Sequence, residues 1–433
     1  MAGPRRKARA IAAGPKSILF VNQHYWPSHA STAQHLTDLA ESLVERGYEC
    51  HVLCLREQAG APVEEVHNGV HIHRVGSSKK GRMASYLGFF VHAVREALRL
   101  PRFDTVATLT TPPIIGLIGT MLRRLKGSIH VYWSMDLHPD ASLALGRMSK
   151  RNPVVAALAW LSDAVYRQAD RVVVLGPYMA DRIAVKGVRP NRLTTIPVWS
   201  RRDEIYPLPR EGHPLRRSLG LEDQFVAMYS GRLGLPHSAD EILEAARRFQ
   251  GRPEVVFLIV GDGPLMGRVR AAKRAEGLDN LRLLDYFPRE QLYASLSLAD
   301  CHLITMRREM TGVMVPSKVY GAMASGRPAI FVGPEHCEAA DAIRQADCGL
   351  LVRPGDADGL VAALDYLIAH PEQARQMGER GRAAFLEAYE REGCCRQWGQ
   401  LFAELVGEPG PAIVPVPALS QPRPQSAEVR RAS

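Results

Sequence analysis

From Ser17 onward, short runs of Val, Ile and Leu alternate with longer stretches whose apolar residues recur at helical spacing. The first run, Ile18–Val21, stops at a turn-prone segment around Pro27. The spacing then predicts a helix from Ser31, with Leu36, Leu39, Ala40 and Leu43 on one face and Gly47 at its end. Further strands are predicted at His51–Leu55, Thr105–Leu109, Ile129–Trp133, Val172–Leu175 and Thr194–Val198. Residues Ser200–Gly220 are rich in Arg, Pro and Gly and read as an interdomain connection. A second series follows at Phe225–Tyr229, Val255–Val260, Leu281–Leu284, His302–Thr305, Ala329–Val332 and Leu350–Val352. Helical stretches such as Ala239–Phe249 and Asp356–Ile368 separate these runs. Continuous apolar runs alternating with helices mark parallel sheets covered on both faces. The expected class is therefore α/β, with two doubly wound, Rossmann-like domains at 17–203 and 204–390 facing across a cleft. A closing helix at 391–407 is expected to pack back towards the first domain. A basic extension (1–16) precedes these domains, and a Pro-rich tail (408–433) that reads as disordered follows them. In such folds ligands bind just beyond the carboxyl ends of the strands.

Composition narrows the classes. With 433 residues, 46% hydrophobic and 23% charged, the chain is neither fibrous nor mainly disordered. Its net charge of +10 is lopsided: residues 1–200 hold 26 Lys+Arg against 14 Asp+Glu, the remainder 29 against 31. A basic half favours a polyanion: nucleic acid, an anionic membrane or a phosphorylated substrate. Lys79, Lys80 and Arg82 lead into a helical stretch carrying Tyr86, Phe89 and Phe90 and running to Leu100. That stretch is either an interfacial helix on anionic lipid or an amphipathic helix docked on the sheet with its basic end solvated. No nucleic-acid motif accompanies the charge, so nucleic acid is not an expected partner. Seven cysteines form no CxxC pair, which predicts buried reduced thiols rather than zinc ligands or disulfides. The most apolar window, Ile114–Leu122, falls far short of the roughly 20 residues of a membrane span. Ala10–Ala13 is too short for a signal-peptide core. A cytoplasmic protein, soluble or peripheral on the inner face of the plasma membrane, is the expectation.

Four strand-end patterns carry candidate chemistry. Ser230-Gly231-Arg232-Leu233-Gly234 lets a ligand approach the backbone, with Arg232 as either a pyrophosphate clamp or a solvated loop residue. Val260-Gly261-Asp262-Gly263-Pro264 reads as a tight turn, with Asp262 able to face the cleft. In Gly312-Val313-Met314-Val315-Pro316-Ser317-Lys318, Ser317 is the expected N-cap of a helix. Free amides there favour an anion, and Lys318 adds charge. After the strand ending at Trp133, Asp136 and His138 suit acid–base work or hydroxyl orientation, or cap the next helix.

Taken in order, these pieces resemble a known family. The supporting residues are His24-Tyr25-Trp26-Pro27, Met135-Asp136-Leu137-His138-Pro139 with Ala144-Leu145-Gly146, the two glycine turns above, and Val315 through Pro328. Over about residues 17–405 the chain resembles retaining family-four glycosyltransferases of GT-B fold. Its nearest likeness is to the branch adding aminosugars or deoxysugars in O-antigen, capsule and exopolysaccharide assembly.

The resemblance implies a nucleotide sugar, usually UDP-linked, on the second domain and the acceptor on the first. It places Gly231, Arg232, His237 and Asp262 at the donor, with Gly312, Val313, Met314, Val315, Ser317 and Lys318 around phosphate or ribose. Asp136 and His138 would lie near the acceptor and departing group. It implies retention, no metal and no cofactor, and a lipid-linked or polysaccharide acceptor in cell-surface glycan assembly, with a glycan on polyprenyl phosphate or pyrophosphate as the expected one. Three positions depart from the family pattern. Gly321 stands where many members have the second of two glutamates. His237 is the nearest match to a common lysine, and Met135 replaces a histidine before the aspartate. A GT-B nucleotide-sugar epimerase and a catalytically inactive scaffold of the same fold are the alternatives.

Overall fold

The computed structural model describes residues 16–58, 60–76 and 81–407, the side chains of Arg82 and Met83 excepted. The first sheet contains β1 (Ser17–Val21), β2 (Glu49–Leu55), β3 (Glu64–His67), β4 (Val70–Val75), β5 (Thr105–Thr108), β6 (Ile129–Trp133), β7 (Arg171–Val174) and β8 (Leu193–Thr195). The second contains β9 (Phe225–Ser230), β10 (Val255–Val260), β11 (Leu281–Leu284), β12 (Cys301–Thr305), β13 (Ala329–Val332) and β14 (Gly349–Val352). Their spatial orders are β3-β4-β2-β1-β5-β6-β7-β8 and β11-β10-β9-β12-β13-β14. Only β3 runs antiparallel to its neighbour. Each sheet reverses its strand order beside its first strand, which places a topological switch point at β1/β5 and at β9/β12.

The β3–β4 hairpin was not expected. Its turn is Asn68-Gly69 with both residues at positive φ, the geometry that matches the strand twist. The strand expected at Thr194–Val198 ends at Thr195, and that at Thr105–Leu109 ends at Thr108.

The helix Arg82–Arg99 covers one face of the first sheet, the docked one of the two sequence readings, and this corrects the membrane-facing assignment of Phe89. Phe89 is fully buried against Leu19, Leu53 and Val106, and Phe90 is half-buried against the same cluster. Tyr86 is half-buried too. The helix's large exposed apolar residues are instead Leu87, Val91 and Leu98. The spacing of the aromatics follows the sheet-facing stripe, so core packing claims them. Lys79 and Lys80, the extension up to residue 15 and the tail from 408 lie outside the described residues.

The helix Arg391–Val406 returns to the first domain. There Arg46 pairs with Glu392 at 2.6 Å and Arg171 with Glu404 at 2.7 Å. Its Trp398 packs 4.7 Å from Trp133, whose ring in turn lies 5.9 Å from Trp199 of the interdomain connection. This apolar stack roots the connection in the first domain directly beneath the cleft. All seven cysteines are buried and unpaired. Among the described residues no helix is long and apolar enough to cross a membrane.

Candidate functional site

Between the sheets lies a cavity of about 310 Å³, open to solvent. The helix Ser31–Glu45 contributes His35 and Asp38, the connection contributes Trp199 and Arg201, and the second domain contributes Ser230, Gly231, Tyr286, Arg289, Ser317 and Lys318. Asp38 is the organising anion of its rim. It accepts from the Trp199 indole at 2.9 Å and the Arg201 guanidinium at 3.1 Å. Arg289 from the second domain reaches Glu204 of the connection at 2.8 Å. His35, Asp38, Arg201 and Arg289 were not singled out from sequence. The signal available was the pair of polar residues at i, i+3 on the otherwise apolar side of the first helix.

The glycine turns behave as their composition requires. Gly231 has φ +115°, and a Cβ there would fall 2.9 Å from Lys318 Cε. Gly261 and Gly263 have φ of +130° and +139°, and Cβ atoms there would strike the backbone of Gly231 and Leu233. The turn after β10 is thus packed directly on the turn after β9. Asp262 accepts from Arg232 at 3.1 Å and from the Tyr286 hydroxyl at 3.0 Å. This pair sits at the exposed rim rather than in the cavity, with two thirds of the Arg232 side chain exposed.

Lys318 is enclosed. Its ammonium stands 3.3 Å from His237 Nε2 and 5.3 Å from the Tyr229 ring centroid. His237 Nδ1 lies against the Thr305 carbonyl, which can only accept, so Nδ1 carries the proton and Nε2 faces Lys318 as an acceptor. Burial pulls the lysine down to about 8. Burial and the neighbouring lysine hold His237 down to about 3, so the imidazole is neutral. Ser317 holds the N-cap position of the helix Lys318–Ala324, as expected, but its side chain makes no capping hydrogen bond. The residue lines the cavity.

Asp136 and His138 are not among the residues that line this cavity. They flank Leu137, whose N–H donates to the Val313 carbonyl at 2.9 Å and so ties this loop to the Gly312–Val315 segment of the other domain. Gly312 has φ +65° and abuts the Tyr178 carbonyl, where a Cβ would lie only 2.5 Å away. Neither Asp136 nor His138 caps the helix Asp140–Ala144, which leaves the capping alternative without support. Desolvation raises the Asp136 carboxyl, and His138 acts against that rise. Val313 and Val315 are buried and Met314 half-buried, and the Val313 and Met314 N–H groups donate to the Met310 carbonyl at 2.9 and 3.4 Å, which corrects the expectation that the amides of this segment are free. Gly321 lines the cavity, and a Cβ there would meet only Leu296, at 3.6 Å. The space of a larger side chain is open at this position.

Residues 32–199 match the family described as Glycosyl transferase 4-like domain, and residues 214–384 match Glycosyl transferases group 1. The chain is a glycosyltransferase of GT-B type. It is 26% identical over 285 residues to a probable glycosyltransferase WbjE of Pseudomonas aeruginosa, covering 66% of this chain and 71% of that one. A putative colanic acid biosynthesis glycosyl transferase WcaI of Escherichia coli K12 is 27% identical, over 62% and 69%. A GDP-mannose-dependent alpha-mannosyltransferase of Mycolicibacterium smegmatis is 25% identical over 90% and 96%. Among solved structures, sucrose-phosphate synthase of Thermosynechococcus elongatus superposes with a TM-score of 0.75 at 18% identity, covering 90% of this chain and 99% of that one. Anabaena HepE in complex with UDP-glucose superposes at 0.69 with 17% identity, over 90% and 99%. These likenesses establish the shared fold of this glycosyltransferase: the two sheets and the cleft between them.

Proposed function

We propose that this glycosyltransferase transfers a sugar with retention, and without a metal, from a UDP-linked donor to a glycan on polyprenyl phosphate or pyrophosphate. The sugar is a hexose or an N-acetylated aminosugar, and the setting is cell-surface polysaccharide assembly. The observation that carries the reading is Lys318, a half-buried cation lining the cleft beside Gly231 and Ser317 with no carboxylate paired to it among the described residues. An unmatched cation at the carboxyl end of a doubly wound sheet suits a diphosphate. Arg232 and the Gly312 and Val315 amides would share that charge, doing what a divalent ion does elsewhere. Asp136 and His138 would face the acceptor hydroxyl and departing group. The UDP-glucose held by the HepE structure supports a uridine donor, and the GDP-mannose-dependent relative supports a guanosine one. The pathway reading draws on WcaI, named for colanic acid biosynthesis.

Incubation with UDP- and GDP-sugars, with and without a polyprenyl-linked glycan, tests this. Nucleotide release that needs the lipid acceptor and survives EDTA is expected. Release abolished by EDTA and restored by magnesium would overturn the metal-free reading, and no release from any donor would overturn the transferase reading. Anionic-membrane contact would use Lys79, Lys80 and Arg82 with the exposed Leu87, Val91 and Leu98. Equal co-sedimentation with neutral and anionic vesicles would remove it.

A further inference from the structure

One cation in the cleft lacks an anion, and the groups around it explain how it is kept so. An ammonium has three protons to place. Lys318 finds a single hydrogen-bond acceptor among the described residues, the neutral His237 Nε2. The other faces are the Tyr229 ring from β9 and the backbone at Gly231. The carboxylates that line the same cavity are engaged elsewhere: Asp38 with the Trp199 indole and Arg201, and Glu204 with Arg201 and Arg289. His237 is itself anchored through Nδ1 to Thr305, so its acceptor nitrogen has a fixed direction. The arrangement holds Nζ in place without neutralising it. The two residues also come from distant segments, the turn after β9 and the helix after β12. The histidine therefore sits where the family pattern commonly has a lysine, and the positive charge arrives from another part of the chain.

We propose that Lys318 and His237 form a proton-coupled diphosphate catch, in which donor binding draws a solvent proton onto Lys318 Nζ while His237 acts as its positioning residue. The step is a simple protonation: Nζ in its amine form gains a proton from bulk water or buffer, and no bond in the donor is made or broken. The proposal rests on the nucleotide-sugar reading of the cleft. Physically, burial disfavours the ammonium before the donor arrives, and two phosphate charges favour it afterwards. The lysine value of about 8 places the change inside an accessible pH range.

The test is calorimetric titration of the full chain with UDP from pH 7 to pH 9, in two buffers of different ionisation enthalpy. Affinity should fall about tenfold across that range, and at pH 8 roughly half a proton should be taken up per UDP bound. Lys318→Arg keeps a fixed charge and should bind with a nearly flat profile, as should the weaker-binding Lys318→Met, which fits the site without a charge. His237→Phe should lose at least about fivefold at pH 7, and His237→Gln, whose carbonyl can accept from Nζ, should recover most of that loss. Identical pH profiles for wild type and Lys318→Arg, or heats at pH 8 that do not depend on the buffer, would overturn the catch and leave the donor site standing. No binding of UDP or GDP at any pH would remove both.

Discussion

Two cations of the second domain, one wholly buried and one half-buried, are treated in opposite ways. Arg216 is wholly buried and every part of its guanidinium is answered. It donates to the carbonyls of Leu298 at 2.9 Å, Leu221 at 3.2 Å and Gln224 at 3.0 Å, and it pairs with Asp300 at 2.5 Å. Asp300 also accepts from the Val226 N–H at 2.7 Å, so the cluster pins the start of β9 to the loop before β12. Lys318 lies on the same sheet's opposite end with one neutral acceptor and no carboxylate. A charge that serves the fold is matched within the chain, because an unmatched buried ion is strongly destabilising. A charge left unmatched at a strand's carboxyl end is one the fold tolerates for a ligand.

The matched site should give the largest effect. Arg216→Met removes the buried partner of Asp300, leaving it Arg210 at 3.4 Å and the Val226 N–H, and should cost about 3 kcal/mol in urea unfolding. Adding Asp300→Leu should return only part of that, since it also takes the acceptor from the Val226 N–H. A single-mutant loss below about 1 kcal/mol would mean that Arg216 is not matched as described.

Asp136→Asn should follow. It removes a carboxylate that burial already strains while keeping its shape, so the melting temperature should hold or rise. Turnover should fall by about a hundredfold or more, the usual share of a positioned acid or base. UDP affinity by calorimetry should barely move, because the residue belongs to the first domain and does not line the cavity. A large loss of UDP affinity would place Asp136 at the donor instead.

The contrast between the two cations was only partly legible in the sequence. The parallel strands were, because strands buried on both faces read as unbroken apolar runs. The β3–β4 edge was not: His71 and His73 alternate with apolar residues there, and the Asn68-Gly69 signal lay between runs too polar to stand out. Motifs after strands picked out Gly231, Ser317 and Lys318, which line the cavity, because strand ends are where a doubly wound fold puts its ligand, whereas Arg232 lies at its rim and Asp136 and His138 do not line it. The pairing of Lys318 with His237, 81 positions apart, could not be read from spacing. The same holds for the Asp38–Trp199–Arg201 rim, which exists only once the connection crosses the first helix. The expectation for Phe89 failed for a related reason: basic residues nearby pointed to a surface, but the helical period turned that ring to the core.

A third cation sharpens the comparison from the exposed side. Arg232 is matched, by Asp262, but in water. A charge-assisted bond to phosphate is worth roughly 1.5–3 kcal/mol when desolvated, and exposure together with release from Asp262 lowers that yield. Arg232→Ala should therefore weaken UDP binding by about tenfold at most. Asp262→Asn should change it by less than about threefold, since it frees the guanidinium without removing it. Unchanged affinity in Arg232→Ala would leave this residue a rim ion pair only.

The smallest effect runs against intuition. Lys318→Met removes the unmatched ammonium and keeps an unbranched chain of similar reach, so it should stabilise the fold by about 1 kcal/mol at pH 7, a part of the desolvation that an accessible group escapes. The sign follows from linkage. The folded value of about 8 lies below the ordinary lysine value of 10.5, so between them the unfolded chain binds more protons than the folded one. Wild-type stability attributable to this group therefore rises with pH across that window, and the penalty is fully present below about 8. The advantage of Lys318→Met should accordingly be greatest at pH 7 and shrink as the pH approaches 10, while wild-type UDP affinity falls over the same range. One side chain would then push stability and ligand binding in opposite directions with pH. Parallel unfolding curves at pH 7 and pH 9.5 for the two proteins decide it: a wild type at least as stable as Lys318→Met at pH 7 would mean that the lysine is already compensated within the chain.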